Sequence, residues 1–346
     1  MAAPRVSFVV ASRNDDHGGS PKRRTELFVH GLAALCTRFA VPAELVLVEW
    51  NPPGDRPSLA RSLDWPSSPG SLEIRILTVP EALHRRVKNS DRIPFFQMIA
   101  KNVGIRRARG EFVVATNIDL LLSEALVWFL GHGPLRDDAV YRVERLDLRL
   151  RDFPPNLDID EQLALCSLNV ARSNNLRETL ELPALASRQL YGHAALRWPG
   201  FAPGELERLL ADACWPWAFY NACGDFTMLA RSQWAALRGH PELPLYSLHI
   251  DSLMLRMAMA HGLTQIVLPD PMRTYHIEHG MGWNVEQDRE RITADRPVLR
   301  YEQLLALITS IDCVGPQAAG TRDDWGFGGE AIPEWRYAPL AVERAA

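Results

Sequence analysis

In the first third of the chain, short apolar runs are separated by stretches with helical spacing. Residues 6–11 are rich in β-branched and aromatic side chains, 45–48 and 112–115 are further apolar runs and 72–79 alternates, and each reads as a strand. Between the first two strands, Leu27, Phe28, Leu32, Leu35, Cys36 and Phe39 recur on one helical face. A second helix is predicted over 94–109, where Phe95, Phe96, Ile99, Val103 and Ile105 fall at the same spacing and Gly110 leads into the fourth strand. Strands alternating with helices predict an α/β fold built on a mainly parallel sheet with helices on its flanks.

The pattern weakens over 131–215, which reads as a variable insertion, and returns near Asn221. A strand is predicted at 226–229, followed by a helix over 232–238 that Ser232 caps and Gly239 stops. Residues 247–261 form the clearest helix of the second half, with Ile250, Leu253, Met254, Met257 and Ala258 on one face and Gly262 at its end. A short strand at 266–268 and a helix over 301–311 complete the elements. The chain therefore divides into a first half over 1–130, the insertion, a second functional half over 216–290, and a final helix with a Gly-rich loop over 291–346 that reads either as a lid or as simple edging.

Composition narrows the functional classes. The 346 residues are 47% hydrophobic and 23% charged, which is globular, and the formal charge of -4 excludes a broad nucleic-acid footprint. Five cysteines, odd in number and without a C-x-x-C pair, argue against a disulfide framework and against a zinc ribbon. With no signal-peptide pattern and no uninterrupted apolar span, the expected compartment is the cytoplasm, and peripheral membrane contact stays open. The pair Gly18-Gly19 lacks the spacing of a dinucleotide fingerprint, which disfavours a dehydrogenase.

Chemistry concentrates at the end of the fourth strand. The run Ala100-Lys101-Asn102-Val103-Gly104-Ile105 precedes the strand, and Asn117-Ile118-Asp119 follows it. That places a carboxylate where open α/β sheets bind ligands. The run resembles the core of family-2-like glycosyltransferases of the GT-A fold, in which such a helix leads into a strand ending in an Asp-x-Asp metal motif. The segments 221–226, 239–242 and 249–252 look like the carboxyl-terminal part of galactosyltransferase-type relatives. Two positions depart from the pattern: Asn117 stands at the first acid of the motif, and His249 stands where a Glu is expected.

The resemblance implies a GT-A-like fold and transfer of a sugar from a nucleotide-sugar donor, a UDP-sugar, to a carbohydrate or other hydroxyl acceptor; a carboxylate base favours inversion, and retention stays open. It implies Mn²⁺ or Mg²⁺ on Asp119, with His276 or His279 of the His-x-x-His pattern as a later ligand. Ser12, Asn14, Asp15 and Glu49 would meet the nucleotide base and ribose, and Lys101, Asn102 and Asn117 would complete the donor site. Asp251 would be the general base, with Asp225 and Glu242 as alternatives. Lys101 or Arg273 would offset diphosphate charge, and Trp283 and Trp325 would stack on sugar rings. Two rival classes use the same residues. A nucleotidyltransferase is favoured by Lys22-Arg23-Arg24 after the first strand, and a catalytically silent carbohydrate-binding relative is favoured by Asn117 and His249 in place of acids.

Overall fold

A computed structural model describes residues 3–15, 19–175, 178–279, 294 and 296–337. The first half runs β1 (Val6–Ser12), α1 (Pro21–Arg38), β2 (Ala43–Trp50), α2 (Leu59–Ser62), β3 (Leu72–Val79), α3 (Glu81–His84), α4 (Gln97–Arg107) and β4 (Phe112–Thr116). The short β5 (Leu120–Leu122) then turns into α5 (Glu124–His132). Next come β6 (Ala139–Leu148), α6 (Ile159–Leu168), β7 (Val170–Asn174), β8 (Thr179–Glu181), α7 (Ala184–Tyr191) and α8 (Glu205–Ala211). The last part holds β9 (Phe226–Ala230), α9 (Arg231–Leu237), α10 (Ile250–Ala260), β10 (Thr264–His276), α11 (Tyr301–Val314) and β11 (Glu334–Arg336).

The strands join one sheet in the order β11-β3-β2-β1-β4-β9-β6-β10-β5, with β7 and β8 branching from β6. The expected parallel sheet is present over β3-β2-β1-β4. Beyond it the sheet is mixed, because β9 runs antiparallel to both β4 and β6. Helices cover both faces. Leu27 and Leu32 of α1, Phe129 of α5 and Leu163 of α6 pack on one face. Ile99 and Val103 of α4, Trp234 of α9, Met254 of α10 and Ile311 of α11 pack on the other. Among the described residues no helix is long and apolar enough to cross a membrane.

Residues 131–215 supply β6, which lies inside the sheet between β9 and β10. Its charged residues disguise it: Arg142 is fully buried with its guanidinium on backbone carbonyls of Asn221 and Cys223, and Asp147 is buried among cations. The Gly-rich tail is fastened to α4. Arg107 donates to the carbonyls of Gly326, Phe327 and Glu330, and Trp325 is buried with the Arg106 guanidinium over its ring. Trp325 therefore belongs to the core, and Trp283 lies outside the described residues.

The far edge is pinned by carboxylates. Glu44, fully buried on β2, accepts from Ser7 Oγ at 2.6 Å and from Arg75 at 3.0 Å, and Arg75 also donates twice to Glu334 of β11. Burial would raise the Glu44 carboxyl, but its bonds to Ser7, Arg109 and Arg75 outweigh burial and lower it from 4.5. The Arg75 bond takes Glu334 down to about 2. Groups with depressed folded values add stability above their unfolded value, and that stability is lost as pH falls through the folded one. Between about pH 4.5 and pH 2, β11 should therefore detach, reported by emission of Trp335, whose ring lies 5.4 Å from that of Trp65. Unchanged amide protection of 334–336 at pH 3 would refute this role.

Candidate active site

The carboxyl ends of β1, β2 and β4 share one edge, where parallel sheets leave a crevice. Gly104 lets α4 settle over β1, since a Cβ there would fall 2.5 Å from Val9 Cγ1. That close approach carries Lys101, 1% exposed, beneath the crevice.

Asp119 follows β4 and is fixed by its backbone. The amide of Ile277 donates to the Asp119 carbonyl at 2.9 Å, and Leu120 of β5 pairs antiparallel with His276 of β10. His279 Nε2 consequently stands 3.1 Å from Asp119 Oδ2, and His276 Nε2 stands 3.8 Å from the same oxygen. The metal-ligating atoms of the three residues lie within 4.8 Å of one another. Burial would raise the Asp119 carboxyl, but the His279 bond and the charges of His276, His279 and Arg24 outweigh it and hold it well below the carboxylate range. Its other oxygen, Oδ1, is buried with no hydrogen-bond partner among the described residues. A charged carboxylate with an unused buried oxygen facing two imidazoles is the donor set of a cation site.

Asn117 and Asp225 meet beside this cluster. Asn117 Nδ2 donates to Asp225 Oδ1 at 2.6 Å, and its own Oδ1 accepts from Gln97 at 3.0 Å. The second Asp225 oxygen is held by Arg145. Both oxygens of Asp225 are thus committed. Asp251 sits in the first turn of α10, where the helix dipole favours an anion, and its Oδ1 accepts from the Ser252 amide at 2.9 Å. Its Oδ2 packs against Gly224, where a Cβ would come within 2.7 Å. Lys101 Nζ donates to the Gly224 carbonyl at 2.7 Å. Burial pushes this lysine down to about 8, opposed by the charges of Asp225, Asp251 and Asp119. Ala222 and His249, just before these acids, take positive φ of 51° and 65°, a strained backbone of the kind that gathers at sites.

Ser12, Asn14, Asp15 and Glu49 form a separate group at the ends of β1 and β2. Glu49 Oε1 accepts from the Leu59 amide at 2.8 Å and from Asn14 at 3.4 Å, and burial raises its carboxyl. The Asn14 amide donates to Ser12 Oγ at 3.3 Å, and Asp15 pairs with Arg13 at 3.1 Å. Asn102 and Glu242 serve the scaffold: Asn102 Nδ2 donates to Glu242 Oε1 at 2.9 Å, and that oxygen also accepts from the Gly326 amide at 2.7 Å. Arg273 alternates with His276 on β10, so it faces the other side of the sheet, where it pairs with Asp270. It lines a cavity of about 440 Å³ between α5, α6 and β10, away from the crevice.

Two residues escaped the sequence reading, and a third enters in another place than expected. Arg24 of α1, read with Lys22 and Arg23 as a basic stretch after the first strand, lies near enough to Asp119 for each to feel the other's charge. Arg145 and Asp147 of β6 bridge Asp225 to His276. Their signal was an i, i+2 charged pair within a run of apolar strand formers.

No family model matches the chain, and no curated protein matches it. Among solved structures, the catalytic domain of Drosophila β1,4-galactosyltransferase 7 in complex with xylobiose is similar at 10% identity and a TM-score of 0.38, over 90% of this chain and 82% of that one. At that distance the functional reading rests on the residues themselves.

Proposed function

We propose that the protein is a cation-assisted glycosyltransferase that moves a sugar from a nucleoside-diphosphate sugar, a UDP-sugar, to an acceptor hydroxyl. The observation that carries this reading is the convergence of Asp119, His276 and His279 at the strand-end crevice, with Asp251 and Lys101 beside it. Two imidazoles and one carboxylate suit Mn²⁺ better than Mg²⁺, which keeps mostly oxygen ligands. When bound, such a cation offsets the charge of a departing diphosphate. Arg24 adds positive charge on the same side. Asp251 takes the proton of the acceptor hydroxyl, and the Ser12, Asn14 and Glu49 group receives the nucleoside. The acceptor oxygen then forms its bond to the anomeric carbon as the bond to the diphosphate oxygen breaks, and direct displacement of this kind inverts that carbon.

The test is calorimetric titration of the protein with Mn²⁺, alone and with UDP, followed by assay of UDP-sugars for transfer. Metal-dependent UDP binding with turnover supports the proposal. Binding of nucleoside triphosphate without diphosphate would move the protein to the nucleotidyltransferases, and no nucleotide binding at all would make it a silent relative.

A further inference from the structure

His276 joins the cation cluster to the interior of the sheet. Its Nε2 faces Asp119 Oδ2, while its Nδ1 lies 3.1 Å from Asp147 Oδ1 on the neighbouring strand. Asp147 is 1% exposed and held from several directions: by Arg145 Nε at 2.8 Å, Asn174 Nδ2 at 2.9 Å and Arg172 at 3.2 Å. An ionised carboxylate only accepts hydrogen bonds, so the imidazole nitrogen facing it must carry the proton. In a neutral ring the other nitrogen is then left with its lone pair.

Charge balance alone does not explain this carboxylate. Arg145 has Asp225 as a second partner and Arg172 has Glu181, so each keeps an acid without Asp147. Arg145 also extends the chain of contacts, since Asp225 in turn receives Asn117.

We infer that Asp147 is a positioning residue: it fixes His276 as the Nδ1–H tautomer, turns the Nε2 lone pair toward a divalent cation at Asp119, and through Arg145 ties that site to the Asp225–Asn117 pair. This rests on reading the Asp119 cluster as a cation site. Outer carboxylates of this kind orient ligating histidines, and their loss typically lowers metal affinity by about 10–100-fold.

The test compares wild type with Asp147→Asn, which keeps shape but offers an NH₂ that can donate to Nδ1 and reverse the tautomer. Calorimetry with MnCl₂ should show affinity lower by about 10–100-fold in the variant. Nitrogen-15 NMR of metal-free wild type, at a pH where the ring is neutral, should show the His276 proton on Nδ1. That second measurement decides the matter even if the variant fails to fold, because a proton on Nε2 overturns the inference. Wild-type affinity for Mn²⁺ that survives in Asp147→Asn overturns it as well. Absence of Mn²⁺ binding by wild type would instead strike the cation reading, and the inference with it.

Discussion

Asp119→Ala is expected to abolish measurable Mn²⁺ binding and to lower UDP-sugar turnover by about a thousandfold or more, the scale of losing a preorganised charge-stabilising group. Among the described residues, Asp119 is the sole carboxylate of the three-residue cluster. Without it, two imidazoles remain with no anion to offset a divalent charge. Asp119→Asn separates charge from shape, since the amide still fills the space and can still accept from His279. If charge is the essential property, both variants lose binding to a similar extent. The measurements are calorimetry with MnCl₂ and steady-state transfer, with circular dichroism confirming that the sheet persists. Retention of Mn²⁺ affinity in Asp119→Asn would remove the residue from the centre of the proposal.

The same residue shows what the sequence makes legible. β1 and β4 are buried by helices on both faces and read as nearly continuous apolar runs, β2 holds the apolar stretch 45–48 and β3 alternates, so the strand before Asp119 can be located from pattern alone. β6 cannot be found that way. Arg142, Arg145 and Asp147 interrupt its apolar run, and their burial is tolerable only because the fold supplies carbonyls and opposite charges. Apart from the Arg145–Asp147 pair itself, those partners come from the segment just before β9, from β7 and from β10, so no local window contains the whole compensation.

Asn117 illustrates the limit more sharply. In sequence it is a departure from a two-acid motif, which lends weight to a silent relative. In the structure its amide donates to Asp225 while accepting from Gln97, a pairing that a carboxylate at 117 would turn into repulsion. The amide is what lets a second carboxylate, Asp225 just before β9, approach the strand end. Asn102 and Glu242 form a pair that no local pattern announces, and together they link the tail to α4.

Asp251→Asn should reduce turnover by about a hundredfold or more while leaving UDP affinity almost unchanged, the expected cost of removing a general base. The separation follows from the site. Asp251 lies at the start of α10 against Gly224, whereas the Ser12, Asn14 and Glu49 group lies at the ends of β1 and β2. Its loss also removes one of the three acids whose charge supports the buried Lys101 ammonium, so Lys101 should titrate lower in the variant. Gly224→Ala tests position rather than charge. Its Cβ would come 2.7 Å from Asp251 Oδ2, so the carboxylate must turn away from that place. Turnover should then fall although the acid is still present, and donor KM should move little. If Asp251→Asn instead keeps full kcat, the proton must pass elsewhere, and Asp225, with both oxygens engaged by Asn117 and Arg145, would have to break one of those bonds to receive it.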